Sequence, residues 1–336
     1  MRARLTIMTV MLPAEGYRMN MTKELIGVPC PSCHATTLEM WNGELFMAYF
    51  AGTRAGADDV DIYVPRKPGE KWSEPVRVSA GPLPHCNPVL RRDGDGLVLY
   101  FKYGREIPMW RTYTVRLDRE LNLKEGPREL VPGDTGGRGP VRNRCLVLPD
   151  GTILAPASTE GEHWSPFIDL STDGGRHFEK CPIPLKRAGS SGPEYAYTVT
   201  GKGAIQPALW RDESGVHALL RSTEGKVLRS DSSDSGRSWC YAYDAGIPNN
   251  NSGISVDTCG SVFLALNPVS GNWAARTPLE VWESKDGARF DRLCVLEDGE
   301  GEYSYPCLLA DGGILYVSYT YRREKAALCV IDPAGL

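Results

Sequence analysis

The pentapeptide Cys30-Pro31-Ser32-Cys33-His34 has the residue types and spacing of a haem attachment site, and also of half a zinc site. A zinc site needs a second cysteine pair or a His/Cys cluster, and the remaining cysteines are scattered singly along the chain. Several of them, such as Cys145 and Cys329, lie in apolar runs typical of buried thiols. We therefore expect no cofactor and no metal, and the role of His34 is left open.

Length and composition exclude several classes of function. The 336 residues are 41% hydrophobic and 24% charged, which allows a large core and argues against disorder. The formal net charge is -4 and Lys/Arg residues form no block, so we expect no nucleic-acid partner. No apolar stretch is long enough to cross a membrane, and the short N-terminal apolar run lacks a cleavage motif. We expect a cytoplasmic protein, with secretion as the alternative.

Three segments contain a Ser-x-Asp sequence, a glycine and a final aromatic residue, and each follows a run that alternates like a β-strand. They are Ser171–Phe178, Ser232–Trp239 and the shorter Ser284–Phe290. Asp and Ser side chains bond the amides of a turn, Gly supplies a positive φ, and the aromatic residue packs between neighbouring sheets.

Six short alternating runs, each next to an Asp-Gly, Asn-Gly, Ser-Gly or Gly-rich turn, recur with these segments at a period of roughly 50–60 residues. Few helical patterns occur anywhere. The repeat predicts an all-β fold, a six-bladed β-propeller in which the N- and C-terminal strands share one blade. We expect residues 1–24 to be an N-terminal extension and residues 25–336 to be a single propeller domain.

Two arginines and a tyrosine stand in informative contexts relative to these turns. Arg221 lies in the sequence LLRS ahead of the second turn, Arg276 begins RTPLEV ahead of the third, and Tyr303 begins a Tyr-Ser pair further on. In this order they resemble two of the arginines and the nucleophilic tyrosine of the sialidase superfamily, whose Asp-box (BNR) repeats build propellers. The resemblance implies that both arginines bind a substrate carboxylate and that Tyr303 is catalytic.

Two positions depart from the sialidase pattern. The segment 32–35 aligns with the first-arginine motif but contains no arginine, and His34 lies within this segment. Gln206 replaces the glutamate that activates the tyrosine, and a neutral amide cannot accept a proton. The loop 52–59 aligns with that of the acid/base aspartate. Further expected substrate-binding residues, apart from Gln206, are Arg54, Asp59 (or Asp58), Asn87, Arg142 and Asn250.

The expected set suits β-elimination at a uronic acid. His85 lies at the expected start of the second blade's inner strand, so it should meet His34, Tyr303 and the arginines in the central cavity. Arginines neutralise the carboxylate and so acidify the neighbouring C–H, while a His or Tyr removes the proton and another protonates the leaving oxygen.

Longer phrases in the chain, among them PHCNPVL, GPVRNRCLVLPDG and GEYSYP, resemble a sialidase-like branch related to L-rhamnose-α-1,4-D-glucuronate lyases. The resemblance implies an enzyme that cleaves an acidic oligosaccharide or polysaccharide by elimination at a glucuronate. Two alternatives stay open: a retaining glycoside hydrolase with Tyr303 as nucleophile, and a non-catalytic glycan-binding propeller.

Overall fold

The computed structural model describes residues 5–11 and 18–333, which form six blades around a central axis. The predicted six-bladed, nearly all-β propeller is confirmed. Within each blade the strands run antiparallel. The first strands of blades 4, 5, 6, 1 and 2 contact one another in turn, and blade 3 contacts blade 4 through its second strand, so the inner strands line the axis. Alternating side chains of the strands fill the apolar layers between neighbouring sheets.

The first three blades are built in chain order. Blade 1 consists of β3 (Ser32–Trp41), β4 (Glu44–Gly52), β5 (Asp61–Val64), β6 (Arg66–Lys67) and β7 (Val76–Arg77). Blade 2 consists of β8 (His85–Asp93), β9 (Gly96–Tyr103), β10 (Arg111–Leu117) and β11 (Leu123–Glu129), with a 3-10 turn at Ile107–Met109. Blade 3 consists of β12 (Leu146–Val147), β13 (Ile153–Glu160), β14 (Trp164–Ser171) and β15 (Glu179–Pro182).

The last three blades follow a short parallel pair, β16 (Lys186–Arg187) and β17 (Thr198–Val199). Blade 4 consists of β18 (Ala204–Asp212), β19 (Gly215–Ser222), β20 (Lys226–Ser232) and β21 (Tyr243–Pro248). Blade 5 consists of β22 (Ser255–Cys259), β23 (Ser261–Leu266), β24 (Leu279–Ser284) and β25 (Asp291–Glu297). Blade 6 consists of β26 (Tyr303–Asp311), β27 (Ile314–Tyr321), β28 (Lys325–Asp332), β2 (Arg18–Ile26) and β1 (Leu5–Met11).

Blade 6 closes the ring, because it joins both ends of the chain in one sheet. β2 pairs antiparallel with β28 over its whole later half, with Met21 opposite Ile331 and Ile26 opposite Ala326. The terminal strands therefore share a blade, as predicted. The boundary expected after residue 24 lies inside β2, and Met21 is buried in the apolar layer between blades 5 and 6.

The three Asp-box turns join the third strand of a blade to the fourth. In the second box, Asp234 Oδ1 accepts the amide of Ser238 (2.8 Å) and the hydroxyl of Ser232 (2.8 Å), and Ser232 Oγ accepts the amide of Gly236 (2.9 Å). Trp239 is buried among apolar residues of blades 3 and 4. The predicted turn chemistry and inter-sheet packing are both found, at the end of the propeller where inner strands finish.

The inner strands have an unpaired edge along the axis, and polar side chains of adjacent blades satisfy part of it. Leu308 N donates to Ser255 Oγ at 2.9 Å, and Leu38 N donates to Cys307 Sγ at 3.3 Å. Buried amides without such partners are costly, so these bonds fix the blades relative to one another.

Replacing Met21 with alanine tests whether β2 belongs to the core. Removing a buried Met side chain costs about 2–5 kcal/mol, so the free energy of unfolding should fall by that amount in urea titrations. Met21→Leu, which keeps the volume, should cost less than about 1.5 kcal/mol. A dispensable N-terminal extension would instead leave both variants as stable as the parent protein.

Candidate active site

Each blade carries one non-glycine residue with a positive φ at or just before its inner strand. These residues are Ala35, Asn87, Arg142, Gln206, Asn251 and Tyr305, with φ between 49° and 67°. In blades 1, 2, 4 and 6 the residue interrupts the pairing of the first two strands as a bulge. A left-handed conformation costs a non-glycine residue roughly 1–2 kcal/mol, and bulges of this kind re-aim side chains near active sites.

Arg221 is the hub where three of these residues meet. It lies near the end of β19 and is buried. Its Nε donates to Asn251 Oδ1 at 2.8 Å, and its Nη1 donates to Gln206 Oε1 at 3.1 Å and to the Tyr305 hydroxyl at 2.8 Å. All three partners are neutral side chains, so the guanidinium charge is oriented but not neutralised.

Tyr305 lies against three guanidinium groups. The Cζ atoms of Arg142, Arg221 and Arg276 are 5.2, 5.6 and 5.4 Å from the centre of its ring. Burial alone would raise the pKa of Tyr305, but Arg221 and Arg276 outweigh that effect and hold the pKa below its usual value. A tyrosine in this setting releases its proton more readily than one in water.

Arg142 is an incompletely satisfied buried cation. Its exposed fraction is 1%, and Nη2 donates to the carbonyl of Pro306, while Nε and Nη1 have no hydrogen-bond partner. Burial lowers its pKa to about 10, so it stays charged at neutral pH. Unpaired buried charge is costly, which makes this position a candidate for interaction with an anion at the centre of the ring.

Arg276 enters the site from the loop between β23 and β24. Its Nη1 pairs with Glu302 Oε1 at 2.8 Å, and Arg323 Nε pairs with Glu302 Oε2 at 2.8 Å. Burial opposes ionisation of Glu302, but the two arginines keep its pKa below the usual value. Asn250 supports the same loop, since its Nδ2 donates to the carbonyls of Ala274 (3.3 Å) and Ala275 (2.5 Å).

His34 joins the cluster as predicted, beside Tyr305. The two ring centres are 4.2 Å apart, and His34 Nδ1 lies 2.9 Å from the hydroxyl of Thr320. That hydroxyl accepts the amide of Ala35, so its own proton is available to His34 Nδ1. Burial and the nearby Arg323 and other arginines hold the pKa of His34 well below its usual value, which leaves the imidazole neutral.

Tyr303 does not join the arginines, contrary to the expectation from sequence. Its exposed fraction is 2%, its ring packs beside Tyr321 (centres 5.3 Å apart), and its hydroxyl donates to the carbonyl of Glu300 at 3.0 Å. Arg322 Nε donates to the same hydroxyl at 3.2 Å. The inner-strand bulge of blade 6 brings Tyr305, two residues later, to the position expected for Tyr303.

His85 also lies apart from the expected constellation. It starts β8 as predicted, but its Nδ1 lies 3.0 Å from Asp61 Oδ1, and its ring packs against Phe101 and Tyr103. Burial lowers its pKa, and Asp61 partly opposes that effect. The bulge of blade 2 places Asn87, not His85, at the position equivalent to Tyr305.

Arg54 and Asp59 lie in the loop between β4 and β5, at the same end of the propeller as the arginines. Arg54 is exposed, and Asp59 accepts the backbone amide of Thr53 at 3.1 Å and also its hydroxyl. The neighbouring Asp58 forms an ion pair with Arg105 (2.6 Å). Arg54 and Asp59 therefore lie on the rim of the propeller, and the bonds of Asp58 and Asp59 hold the loop there, away from Tyr305 and Arg221.

Glu160 was not anticipated from the sequence, and two tryptophans lie near Arg221 at the site. Glu160, at the end of β13, accepts a long hydrogen bond from Gln206 Nε2 (3.5 Å), and burial raises its pKa. The rings of Trp164 and Trp273 lie 5.8 and 5.9 Å from Arg221 Cζ. Trp273 is 62% exposed and offers an aromatic face at the mouth.

Among residues 5–11 and 18–333, no group of His, Cys, Asp or Glu side chains has the arrangement of a metal site, and all ten cysteines are free thiols. In the same part of the chain, no helix is long and apolar enough to cross a membrane. Cys33 of the opening motif is buried, which raises its pKa to about 12.

Comparisons with known structures agree with this architecture. A protein of unknown function from Dyadobacter fermentans superposes with a TM-score of 0.72 at 15% identity, over 92% of this chain and 97% of that one. Trypanosoma rangeli sialidase gives 0.69 at 15% identity, over 91% of this chain and 55% of that one. The NanB sialidase of Streptococcus pneumoniae gives 0.63 at 12%, over 93% and 70%. At these identities the likeness concerns the fold.

Comparison of the sequence with characterised proteins found no match. Residues 43–317 match the family model described as a BNR repeat-like domain. This segment is most of the chain and contains all three Asp boxes and five of the six residues with positive φ at or before the inner strands, so the protein belongs to the BNR repeat-like domain family.

Proposed function

We propose that the protein is a carbohydrate-active enzyme that cleaves an acidic glycan by β-elimination at a uronic acid residue. The observation that carries the proposal is Tyr305, a tyrosine of lowered pKa that accepts a hydrogen bond from Arg221 at 2.8 Å and faces two further guanidinium groups. Cations arranged around an ionisable phenol suit both an anionic substrate and a phenolate base.

Arg221 and Arg276 are the proposed ligands of the substrate carboxylate. Each directs a guanidinium group at the space beside the Tyr305 ring, and Arg221 has no carboxylate partner among the described residues. Neutralising the carboxylate lowers the pKa of the adjacent C5–H. Removal of this proton, the difficult step of elimination, therefore becomes easier. Arg142 adds positive charge from the axis side.

Tyr305 and Glu160 have pKa values shifted in opposite directions, which supports base and acid roles. The Tyr305 phenolate removes the proton from C5, the electron pair of that bond forms the C4–C5 double bond, and the C4–O4 bond breaks. Glu160 donates its proton to O4 of the leaving sugar. Afterwards Tyr305 returns a proton to water and Glu160 regains one, so the enzyme is restored.

Gln206 favours elimination over hydrolysis. It stands where the sialidase pattern has the glutamate that activates the tyrosine, and its amide oxygen accepts a hydrogen bond from Arg221 instead (3.1 Å). An amide cannot take the phenolic proton during nucleophilic attack. Arginines that lower the pKa of Tyr305 favour its deprotonation without such a partner.

Retaining hydrolysis is the second candidate, because several of the structural neighbours are sialidases. One of them is Trypanosoma rangeli sialidase in complex with 2,3-difluorosialic acid, described as a covalent intermediate. In this mechanism Tyr305 attacks the anomeric carbon, the glycosidic bond breaks, and Glu160 protonates the departing oxygen. Water then hydrolyses the glycosyl-tyrosine.

Product analysis on a panel of acidic oligosaccharides separates these mechanisms. Elimination leaves a 4,5-unsaturated uronate, which absorbs in the ultraviolet and is lighter by one water than the hydrolysis product. Saturated products would support the hydrolase, and binding without turnover would support a glycan-binding propeller.

Tyr305→Phe should lower kcat by at least about 100-fold, since a positioned acid or base contributes that much or more. Tyr303→Phe is the matched control, because it removes a hydroxyl from the same strand that bonds only Glu300 and Arg322. It should keep kcat within about twofold. Loss of activity in Tyr303→Phe with retention in Tyr305→Phe would contradict the assignment.

Arg221→Gln should move the rising limb of the kcat/KM–pH profile to higher pH. The phenolate of Tyr305 is the active form, the guanidinium stabilises that charged form, and its removal therefore raises the pKa of Tyr305. The profile is measured for the parent protein, for Arg221→Gln and for the control Arg289→Gln, whose side chain is exposed in an Asp box. An unshifted limb in Arg221→Gln would mean that another group is the base.

A further inference from the structure

A cavity of about 220 Å³ lies between blades 2 and 3, next to the arginine cluster. Its wall includes Ile107, Trp110, Thr135, Thr159, Glu160 and His163. The volume suits one sugar ring, and the cavity opens at the end of the propeller where the second strands finish, which is also the end that holds Arg221 and Tyr305.

Glu160 connects this cavity to the candidate active site. Glu160 lines the cavity, its carboxyl group accepts from Gln206 Nε2 at 3.5 Å, and Gln206 in turn accepts from Arg221 at 3.1 Å. Val141, another wall residue, directly precedes Arg142, whose guanidinium faces the Tyr305 ring. A molecule spanning both spaces would pass beside the Glu160 carboxyl.

The lining combines the two features that a sugar requires. Trp110 is held by a hydrogen bond from its Nε1 to the carbonyl of Gly104 (2.8 Å), and with Ile107 it offers an apolar surface to a ring face. Among the residues that the structure describes, Thr135, Thr159 and His163 have no side-chain hydrogen-bond partner and can bond sugar hydroxyls. Lys102, by contrast, is occupied with Thr112 and backbone carbonyls.

We propose that this cavity is the subsite for the sugar attached to O4 of the uronate, the residue that leaves during elimination. The inference rests on the proposed function, because the proton donor must lie between the two sugars and Glu160 lies between the two spaces. The substrate is therefore at least a disaccharide, with the uronate beside Tyr305 and its O4-linked neighbour against Trp110.

Calorimetry with two synthetic probes tests the subsite: a methyl glucuronide, and the same compound with one hexose at O4. Binding is measured in Tyr305→Phe protein, which should not cleave either probe, after thermal melts confirm that it is folded. The hexose should tighten binding by about tenfold. Adding Thr135→Phe, which fills the cavity, should abolish that gain and leave the affinity for the methyl glucuronide within about twofold.

Thr258→Phe is the matched control, since Thr258 is exposed near the end of β22 in blade 5. It should leave both affinities unchanged. A hexose that adds no affinity would overturn the subsite, and so would a Thr135→Phe effect of equal size on both probes, which would place the uronate itself in the cavity. If the parent protein forms no unsaturated product from the hexosyl probe, the proposed elimination is contradicted. A gain in affinity from the hexose would still support the subsite in that case.

Discussion

The arginines around Tyr305 carry more positive charge than the neighbouring carboxylates neutralise, and the properties of the candidate site depend on this excess. Arg276 shares Glu302 with Arg323, but Arg221 bonds only neutral groups, and two nitrogens of Arg142 have no partner among the residues described. Guanidinium groups removed from water in this way are expensive unless an anion joins them. The arginines hold down the pKa of Tyr305 and of Glu302, and together with burial, which is the larger effect, they lower the pKa of His34. A bound carboxylate would neutralise part of the positive charge of these arginines.

The residue with positive φ at or just before each inner strand is how the fold brings these charges together. A regular strand sends alternate side chains into the layers between blades, where apolar packing holds the propeller together. One residue per blade departs from this rule, and Arg142, Gln206, Asn251 and Tyr305 then meet around Arg221. Each blade contains one such residue, and the packing of the surrounding blade holds it in its unfavourable backbone conformation. Different residues of one inner strand thus face the candidate site and pack between the blades.

The sequence was sufficient to predict the repeat, the turn chemistry and the placing of Arg221 and Arg276 near each other, because each of these has a local pattern. It could not separate Tyr303 from Tyr305, since residues two apart share one face of an ideal strand and only a bulge changes that. A signal existed: Asn87, Gln206 and Tyr305 each precede a proline at the equivalent position of their blades. Glu160 and Glu302 lack such a pattern, because strand ends and loops from different blades bring them into place.

The pairing of β2 with β28 has a consequence for how the protein is made. β2 precedes blades 1 to 5 in the chain, whereas its partner strand β28 follows all five of them, so the two strands are synthesised far apart in time. Until β28 is synthesised, β2 has no hydrogen-bonded neighbour towards the ring, and such a strand is prone to pair with other chains. Nascent chains of this protein should therefore depend on chaperones or rapid completion, and translational stalling before residue 325 should favour aggregation.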